Sequence, residues 1–219
     1  MIVPTLDEAE ALERYLPATL AAAAEVVVSD GGSTDGTRDV ALALGARVVC
    51  GEPGRGPQLN RGARATNASA LVFLHADTVL PAGALAAVGR ALAAGAVGGG
   101  FLIRFDSNRP VYRLGSRVVN LRTRWSRSPL GDQAQFASRA AFARLGGYPE
   151  WPILEDLEFM RRLKRHGHVV ILGPPVATSV RRFEKSGIAK TLLVNWTIFA
   201  LFFAGVSPMR LERLYRTVR

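Results

Sequence analysis

Acidic side chains follow two apolar segments in the first half of the chain. Asp30 comes after the β-branched run 26–28, and Asp77 lies shortly after the apolar run 71–74, two residues beyond His75. One or two carboxylates, together with phosphate oxygens of a substrate, suit Mg²⁺ or Mn²⁺. Asp77 is therefore a candidate metal ligand, with a turn residue as the alternative. His75 is a second candidate that would favour Mn²⁺, with a backbone-bonded histidine as the alternative.

Arginines that could meet a phosphate occur in two predicted loops. Arg55 lies between glycines in the stretch 54–56, just before a predicted helix, where backbone N–H groups and a guanidinium can hold phosphate. Arg181 and Arg182 lie in the segment 180–187, which we predict to be mobile. A solvated loop cation is the alternative in each case.

The elements that must position these residues alternate between strand-like and helix-like segments. In order, the predicted elements of the first half are strand 2–3, helix 8–24 with a break or restart at Pro17, strand 26–28, helix 38–44, strand 47–50, helix 57–65, strand 70–74 and helix 81–93. Such alternation predicts an α/β domain whose parallel strands are joined by crossover helices. Ligands of such sheets bind beyond the carboxyl ends of the strands, which is where Asp30 and Asp77 fall.

The second half of the chain is less regular. Its predicted elements are strand 98–105, a basic helix 111–127, strand 135–138, helix 140–145, helix 155–166, strand 169–172 and a helix from 188 with a corner at 205–208. The end of the chain places Leu211, Leu214, Tyr215 and Val218 on one face beside Arg210, Arg213, Arg216 and Arg219. This pattern suits an anionic membrane surface. Packing on the core or on a second subunit, as in a homodimer, is an equal alternative.

Composition limits the class of protein. With 219 residues, 48% of them hydrophobic, the chain can build one sizeable core and is not a disordered protein. Cys50 is the one cysteine of the sequence, so no intramolecular disulfide can form, which fits a reducing, cytoplasmic location. The apolar run 191–206 is shorter than the roughly 20 residues that span a bilayer, so we expect no transmembrane helix, and we expect no signal peptide. The net charge of +10 predicts an anionic partner.

Four short motifs occur in order along the chain. They are I-V-P-T-L-D-E at 2–8, V-S-D-G-G-S-T-D-G-T at 28–37, L-H-A-D-T at 74–78 and E-D at 155–156. Together they resemble the opening strand, nucleotide loop, D-x-D site and E-D pair of the family 2 inverting glycosyltransferases. Each motif alone is weak, but four in order cover nearly the whole chain. H-A-D-T in place of D-x-D, with G-D-Q at 131–133, resembles a branch associated with radical-SAM proteins and arsenosugar biosynthesis.

The resemblance implies a GT-A fold, in which helices flank a Rossmann-like, mostly parallel central sheet, here followed by a C-terminal helical segment. It implies a UDP- or GDP-sugar as donor, an acceptor hydroxyl, and Mn²⁺ or Mg²⁺ as cofactor. The sequence does not determine the acceptor: a small molecule or a lipid-linked molecule is the expectation, and a protein is an alternative. Asp77 and His75 stand at the family's metal site. Asp156 stands at the position of the general base and Glu155 beside it as a positioning residue, although the helix dipole alone also favours acidic residues there.

The resemblance also implies a set of donor-binding positions. They are Pro4, Thr5, Glu8, Asp30, Gly31, Arg55, Asn60, His75, Ala76, Asp77, Asp132, Gln133, Arg181 and Arg182. At Asp30 the implied contact is with the nucleotide base, and the alternative is capping of the following loop. A structural role is an equal alternative for Asn60, and a turn is an equal alternative for Asp132 and Gln133.

We predict one glycosyltransferase domain over residues 1–219. Its nucleotide-sugar-binding half is 1–97, its acceptor-side half is 98–180, and a mobile basic loop with C-terminal amphipathic helices occupies 181–219. Peripheral contact with the cytoplasmic membrane face remains open.

Two other classes compete with this prediction. A sugar-phosphate nucleotidyltransferase would carry a glycine-rich loop after the first strand, where this chain has P-T-L-D-E at 4–8. A non-catalytic nucleic-acid-binding protein would explain the charge, but the sequence carries no recognised nucleic-acid-binding motif, so we expect no nucleic-acid partner.

Overall fold

Eight strands and ten helices make up the part of the chain that the structure describes. This computed structural model describes residues 1–215, apart from the side chain of Arg182. The strands are β1 Ile2–Thr5, β2 Val27–Asp30, β3 Arg47–Cys50, β4 Ala70–Val72, β5 Thr78–Val79, β6 Gly98–Phe105, β7 Phe136–Ser138 and β8 Val169–Thr178. The helices are α1 Ala9–Ala22, α2 Thr37–Ala43, α3 Arg55–Arg64, α4 Ala84–Ala93, α5 Pro110–Ser126, α6 Arg139–Arg144, α7 Glu155–His166, α8 Arg181–Ser186, α9 Ile188–Phe203 and α10 Pro208–Tyr215, with a 3₁₀ turn at Gly131–Gln133.

The strands form two sheets that meet at β1. Strands β1, β2 and β3 pair in parallel, as their alternation with helices predicts. The other five strands have the order β4-β7-β6-β8-β5, with β6 and β8 parallel and the remaining pairs antiparallel. A parallel bridge between Ile2 and Phe73 joins β1 to the chain just beyond β4. Strand β1 therefore lies between β2 and the segment that follows β4. This places the carboxyl end of β2, with Asp30, and the turn that contains Asp77 on the same side of the protein.

Several predicted boundaries differ from the observed ones for identifiable reasons. Helix α3 begins at Arg55 rather than at Pro57, so Arg55 is the first helical residue and not a loop residue. Strand β5 had no sequence signal because it is only two residues long. Strand β8 was predicted to end at Leu172, before Gly173 and Pro174, because proline cannot donate a hydrogen bond in a sheet. In the structure it continues to Thr178. The segment predicted to be mobile contains the six-residue helix α8.

The predicted break at Pro17 is wrong. Helix α1 continues through Pro17, although proline lacks the N–H that would bond to the preceding turn. A proline inside a helix costs about 3 kcal/mol. Leu12 and Leu16 lie on the buried face of α1 and are almost fully covered by the core, and this burial offsets the cost.

The core consists of two large clusters and one small one. The largest lies between the sheets and α1, α2 and α4, and a second gathers Phe73, Phe142, Tyr148 and Phe159 in mutual ring contacts. Tyr148 stacks on Phe159 with ring centroids 4.2 Å apart. This aromatic cluster fixes the start of α7, which carries the Glu155-Asp156 pair.

The third cluster bears on the prediction for the C-terminal helices, and it leaves the predicted membrane and homodimer contacts as predictions. Leu211 of α10 is buried against Ile153, Val194 and Ile198, with Leu214 and Tyr215 packed beside it. The apolar face predicted from the sequence is thus packed on the core, as far as the structure describes it. Its remaining predicted members, Val218, Arg216 and Arg219, lie outside the described residues. Within residues 1–215, no helix combines the length and apolarity needed to cross a membrane.

Candidate active site

Asp30 ends β2 with its carboxylate committed to protein hydrogen bonds. Oδ1 accepts bonds from the N–H groups of Gly32 (3.0 Å) and Ser33 (2.9 Å), and Oδ2 accepts bonds from the hydroxyls of Ser33 and Thr5. Burial by itself raises the pKa of Asp30, but these hydrogen bonds lower it overall. The geometry corresponds to loop capping, and contact with a nucleotide base stays a prediction.

Gln58 binds the ends of β1 and β2 to each other. Its amide N–H donates to the carbonyls of Thr5 (2.7 Å) and Ser29 (2.9 Å). A Cβ at Gly31 would lie 3.0 Å from the Gln58 side chain, so the predicted nucleotide loop packs closely on this glutamine. Pro4 lies half-buried in β1 opposite Ser29. Sequence reasoning missed Gln58, because a glutamine inside a helix carries no signal of such a role.

The H-A-D segment forms a tight turn between β4 and β5. The Thr78 N–H donates to the carbonyl of His75 (3.2 Å), and the carbonyl of Asp77 accepts a bond from the Ser179 N–H (3.2 Å). Ala76 is buried in the core, so it supports the turn from within. The turn does not exclude a role for Asp77 in binding, because the Asp77 side chain lines an open cleft.

Asp77 lines an open cleft of about 320 Å³. Tyr15 and Arg181 line the same cleft. Burial and the negative charge of Glu8 raise the pKa of Asp77, while Arg181 and Arg55 offset part of that effect. Burial and the charge of Glu8 thus disfavour the charged form of Asp77, and a cation bound beside the carboxylate would stabilise that form.

His75 and Asp156 converge on Gly131. A Cβ added to Gly131 would lie 2.9 Å from His75 Nε2 and 3.2 Å from Asp156 Oδ2. The Gly131 N–H donates to Asp156 Oδ2 at 2.6 Å, and Asp156 Oδ1 accepts a bond from the Leu157 N–H at 2.7 Å. The two motifs G-D-Q and E-D, 25 residues apart, are therefore parts of one local arrangement, and its geometry leaves no room for a side chain at position 131.

Asp132 is the most strongly perturbed carboxyl of the site. Its Oδ1 is buried and has no hydrogen-bond partner among residues 1–215. Burial, and then the charge of Asp156, raise the pKa of Asp132 to about 6, although Arg122 and Arg55 partly oppose this rise. Asp77 also contributes to it, so the carboxylates of Asp77, Asp132 and Asp156 act on one another.

Arg55 brings positive charge to this acidic cluster. Its Nε lies 3.9 Å from Glu155 Oε1, and the Glu155 side chain is almost fully buried. Burial works against the charged form of Arg55, but neighbouring Tyr215, Glu155, Asp156 and Asp132 raise its pKa overall. A small cavity of about 10 Å³, lined by Arg55, Glu155 and Asp156, separates these groups, which is room for about one water molecule.

Gln133 lies in the core and not in the cleft. Its Oε1 accepts bonds from Arg122 Nη2 (3.0 Å), the Thr123 hydroxyl (3.1 Å) and the Leu130 N–H (3.0 Å), and its Nε2 donates to the Phe101 carbonyl (2.9 Å). Gln133 therefore holds the turn that presents Asp132. Contact between Gln133 and a sugar would require these bonds to be replaced.

Asn60 has the structural role that the sequence left open. Its Nδ2 donates to the Tyr148 carbonyl and its Oδ1 accepts a bond from the Tyr148 N–H, both at 2.9 Å. The Tyr148 hydroxyl donates to Gln135 Oε1 (2.8 Å), and Gln135 Nε2 donates to the carbonyl of Asp156 (3.1 Å). Asn60 is thus connected to the backbone of Asp156 through Tyr148 and Gln135. It is not among the residues that line the cleft.

Glu8 forms an ion pair with Arg181, which lines the cleft. Arg181 Nη2 lies 2.5 Å from Glu8 Oε2, joining positions 173 residues apart. Both residues were predicted to contact the donor, and the structure places them together beside Asp77. The side chain of Arg182 lies outside the described residues.

Arg122 was missed as a site residue. It was one of many arginines in a basic helix, and only the fold brings it to the acidic cluster. Its Nε is buried with no hydrogen-bond partner among the described residues. Burial lowers the pKa of Arg122, and the charges of Asp132 and Asp156 offset part of that decrease.

Within residues 1–215, no three His, Cys, Asp or Glu side chains are arranged as a metal site. His75 lines the small cavity with Asp156, whereas Asp77 lines the open cleft, and joint ligation of a metal by the two stays a prediction.

The family model described as glycosyl transferase family 2 matches residues 1–145 of the 219. The chain belongs to this family. The family assignment confirms the resemblance carried by the four motifs. The relation to the radical-SAM-associated branch stays a prediction.

Curated relatives of this family 2 chain include glucosyl-3-phosphoglycerate synthase of Mycobacterium tuberculosis, which is 34% identical over 94 residues. That match covers 37% of this chain and 29% of the relative, so the similarity concerns less than a third of the relative's length.

Solved structures share the fold of this family 2 chain. The mannosyltransferase PcManGT of Pyrobaculum calidifontis, in complex with GDP-Man and Mn²⁺, has a TM-score of 0.64 at 23% identity, covering 99% of this chain and 67% of that one. TarS 1–349 of S. aureus, in complex with UDP-GlcNAc, has a TM-score of 0.61 at 18% identity, covering 81% of this chain and 57% of that one. The predicted GT-A fold is thereby confirmed.

Proposed function

We propose that this family 2 chain is an inverting glycosyltransferase that moves a sugar from a UDP- or GDP-sugar to an acceptor hydroxyl, with Asp156 as general base. The observation that carries the proposal is the convergence of Asp156, Asp132 and Asp77 with Arg55, because three carboxylates and a guanidinium are the groups that such a transfer needs. The neighbours solved with nucleotide sugars support the donor class. The family favours a transferase over a nucleotidyltransferase or a nucleic-acid-binding protein.

Asp156 is suited to accept a proton. Each of its carboxylate oxygens accepts one backbone hydrogen bond, from Gly131 and from Leu157, and each oxygen has capacity for a second. An acceptor hydroxyl can therefore bond to a carboxylate whose orientation is already fixed. One such base is enough for inversion, because no covalent glycosyl intermediate forms. Glu155, buried behind it, positions Arg55.

The residues present fit a divalent cation, Mn²⁺ or Mg²⁺. The buried Oδ1 of Asp132 lacks a partner among the described residues, and the charged form of Asp77 is disfavoured by burial, so both gain from a nearby cation. We propose that Asp77 and Asp132 hold it together with substrate phosphate oxygens. The bound cation would neutralise charge on the leaving diphosphate. His75 faces Gly131 and Asp156, and we assign it to the acceptor side of the site rather than to the metal.

Arginines supply the remaining positive charge for the diphosphate. Arg55 is the first residue of α3, where helix N–H groups and the guanidinium both favour an anion. Arg181 lines the cleft beside Asp77 and is held by Glu8 in this structure. We propose that the diphosphate of the donor replaces Glu8 as the partner of Arg181. We also propose that Arg182, the next residue of α8, contacts the diphosphate.

The arrangement supports a proposal for how the chain is divided. We propose that 1–97 binds the nucleotide through Pro4, Thr5, Asp30 and Gly31, that 98–180 supplies the acceptor-side groups, and that 181–219 covers the cleft. We also propose a small or lipid-linked acceptor. The cytoplasmic location, the homodimer and the contact of the C-terminal helices with a membrane stay predictions.

The experiment that tests the proposal is a donor screen by thermal shift. UDP-, GDP- and dTDP-sugars are added with and without Mn²⁺ to the wild-type chain, to Asp77→Asn and to Asp39→Asn, which makes the same chemical change on the exposed side of α2. A donor at 100 times its dissociation constant adds about 2.7 kcal/mol of stability, or about 5–10 °C in Tm. We expect one donor to do this with Mn²⁺ in the wild type and in Asp39→Asn but not in Asp77→Asn. If no sugar nucleotide raises the Tm at saturating metal, the proposal fails.

A further inference from the structure

Helix α5 turns its polar side inward. Tyr112, Ser116 and Thr123 are its buried residues, at the spacing of one helix face. A surface helix of a globular protein ordinarily buries its apolar stripe and exposes its polar one. In α5 the inward face combines Ser116, Asn120 and Thr123 with Tyr112 and Val119, which pack in the core, while a second apolar stripe stays on the outside. Both the inward polar side chains and the exposed stripe need an explanation.

The inward side is explained by the edge of β6. Beyond Gly99, strand β6 has no partner on the β7 side among the described residues, so its backbone groups there face α5. Asn120 accepts a bond from the Ile103 N–H (2.8 Å) and donates to the Ile103 carbonyl (2.9 Å), and the Ser116 hydroxyl accepts a bond from the Phe105 N–H (3.0 Å). These polar side chains take the place of a neighbouring strand, which is why they point inward.

The outward side has no such explanation among the residues that the structure describes. Its apolar side chains recur at alternating steps of three and four residues, which forms one straight stripe along the helix. They are Val111 (43% exposed), Leu114 (60%), Val118 (54%), Leu121 (72%) and Trp125 (88%). No described residue covers this stripe, so it is available for a contact outside the described residues.

The charges beside the stripe identify the partner. Between Ser107 and Gly131 the sequence has six arginines and no acidic residue. None of the exposed arginines 113, 117 and 124 forms an ion pair with a carboxylate of the described residues. An apolar stripe with a tryptophan at one end and unpaired arginines at its sides is complementary to an anionic lipid surface, where rings and aliphatic chains enter the interface and guanidinium groups meet phosphates.

A second copy of the chain fits this surface poorly. Two α5 helices packed along the stripe would place Arg117 and Arg124 at the positions that flank the seam, and Arg122 at the flanking position on the other side. Antiparallel packing would face Arg117 and Arg124 of one copy with the same residues of the other, without an acidic partner on the helix. In parallel packing the position opposite Arg117 is that of Arg122, whose guanidinium is bound to Gln133 within its own chain, so charge repulsion acts mainly against the antiparallel arrangement.

We propose that the outward face of α5 is a docking surface for an anionic bilayer. The helix lies in the plane of the interface, with Leu114, Leu121 and Trp125 inserted and the arginines at the level of the headgroups. This surface is distinct from the C-terminal face around Leu211, which is packed on the core. Because Gln133 binds α5 through Thr123 and Arg122, docking would hold the Asp132 turn near the membrane. The inference does not depend on transfer activity.

The first experiment measures binding to vesicles. Co-sedimentation is compared for phosphatidylcholine vesicles and for vesicles with about a third phosphatidylglycerol, using the wild type, a double variant Leu121→Ser/Trp125→Ser, and Leu42→Ser as a matched exposed apolar control on α2. We expect binding to the anionic vesicles only, weakened about tenfold or more by the double variant, unchanged by Leu42→Ser, and reduced by salt. Equal binding of the double variant and the wild type would overturn the proposal.

The second experiment locates the inserted residue. In a Trp151→Phe/Trp196→Phe background, Trp125 is the one remaining tryptophan of the chain, and circular dichroism checks that the variant is folded. Anionic vesicles should shift its fluorescence to the blue, and brominated lipids should quench it. No quenching overturns the proposal. So does sedimentation of the wild type as a dimer that Leu121→Ser/Trp125→Ser converts to a monomer, since that result assigns the stripe to a second copy.

Discussion

The N–H of Gly131 donates a 2.6 Å hydrogen bond to Oδ2 of Asp156. This bond joins the G-D-Q turn to the start of α7, and it fixes the carboxylate that we propose as general base. The same bond places Asp132 within electrostatic range of Asp156 and explains why the charge of one affects the pKa of the other.

Replacement of Asp156 by asparagine should abolish transfer and leave donor binding intact. The amide keeps the size of the side chain and can still accept from Gly131, but it cannot take up a proton. General-base removal costs about 10²–10⁴-fold in rate. Turnover is measured with the donor found in the screen, and donor affinity by thermal shift, with Asp39→Asn as control. Full activity of Asp156→Asn would refute the assignment of the base.

Alanine at position 131 should lower activity far more than stability. The added Cβ would meet His75 Nε2 at 2.9 Å and Asp156 Oδ2 at 3.2 Å, so both side chains must shift by a few tenths of an ångström. Small displacements of a positioned group cost up to about 10²-fold in rate. The matched control is Gly89→Ala in α4, where nothing lies within 4 Å of the new Cβ. A kcat within twofold of wild type would show that this close approach has no role in catalysis.

Asn60→Ala should destabilise the protein without a direct effect on donor affinity. It leaves the buried N–H and carbonyl of Tyr148 without partners, at about 1–3 kcal/mol for each group. Urea denaturation should therefore show a loss of about 2–4 kcal/mol, while Asn67→Ala, in an exposed loop, should change stability little. A loss of affinity with unchanged stability would instead make Asn60 a donor contact.

Stability in chelator should fall as pH rises from about 4 to about 6. The folded-state pKa of Asp132 is about 6, above its ordinary value of 3.8, so the native state binds the proton more tightly than the unfolded state does. Stability contributed by this group is complete below pH 3.8 and is lost as pH rises through 6. Asp132→Asn should remove this loss and be more stable than wild type at pH 7.5, by about 1–3 kcal/mol. Equal pH profiles for the two proteins in urea titrations would contradict the raised pKa.

The sequence by itself determined the family, the strand–helix alternation and the order of the acidic positions. Motifs such as V-S-D-G-G-S and H-A-D-T are local, and the turns that they encode need only neighbouring residues, so they could be predicted without a fold. Helix boundaries near prolines failed at Pro17, where core packing of Leu12 and Leu16 outweighs local propensity, and at Pro57, where α3 begins two residues earlier at Arg55.

Only the tertiary structure decided which polar residues face the cleft and which hold it in place. Asn60 and Gln133 look like site residues in sequence, yet their hydrogen-bonding groups are used by backbone and side-chain atoms far along the chain. Arg122 and Gln58 look ordinary in sequence, yet the fold brings them to the site. Hydrogen-bond satisfaction of buried groups depends on contacts between residues tens of positions apart, and such contacts have no local pattern. For the same reason, only the fold showed that α5 buries its polar side and leaves its apolar stripe exposed.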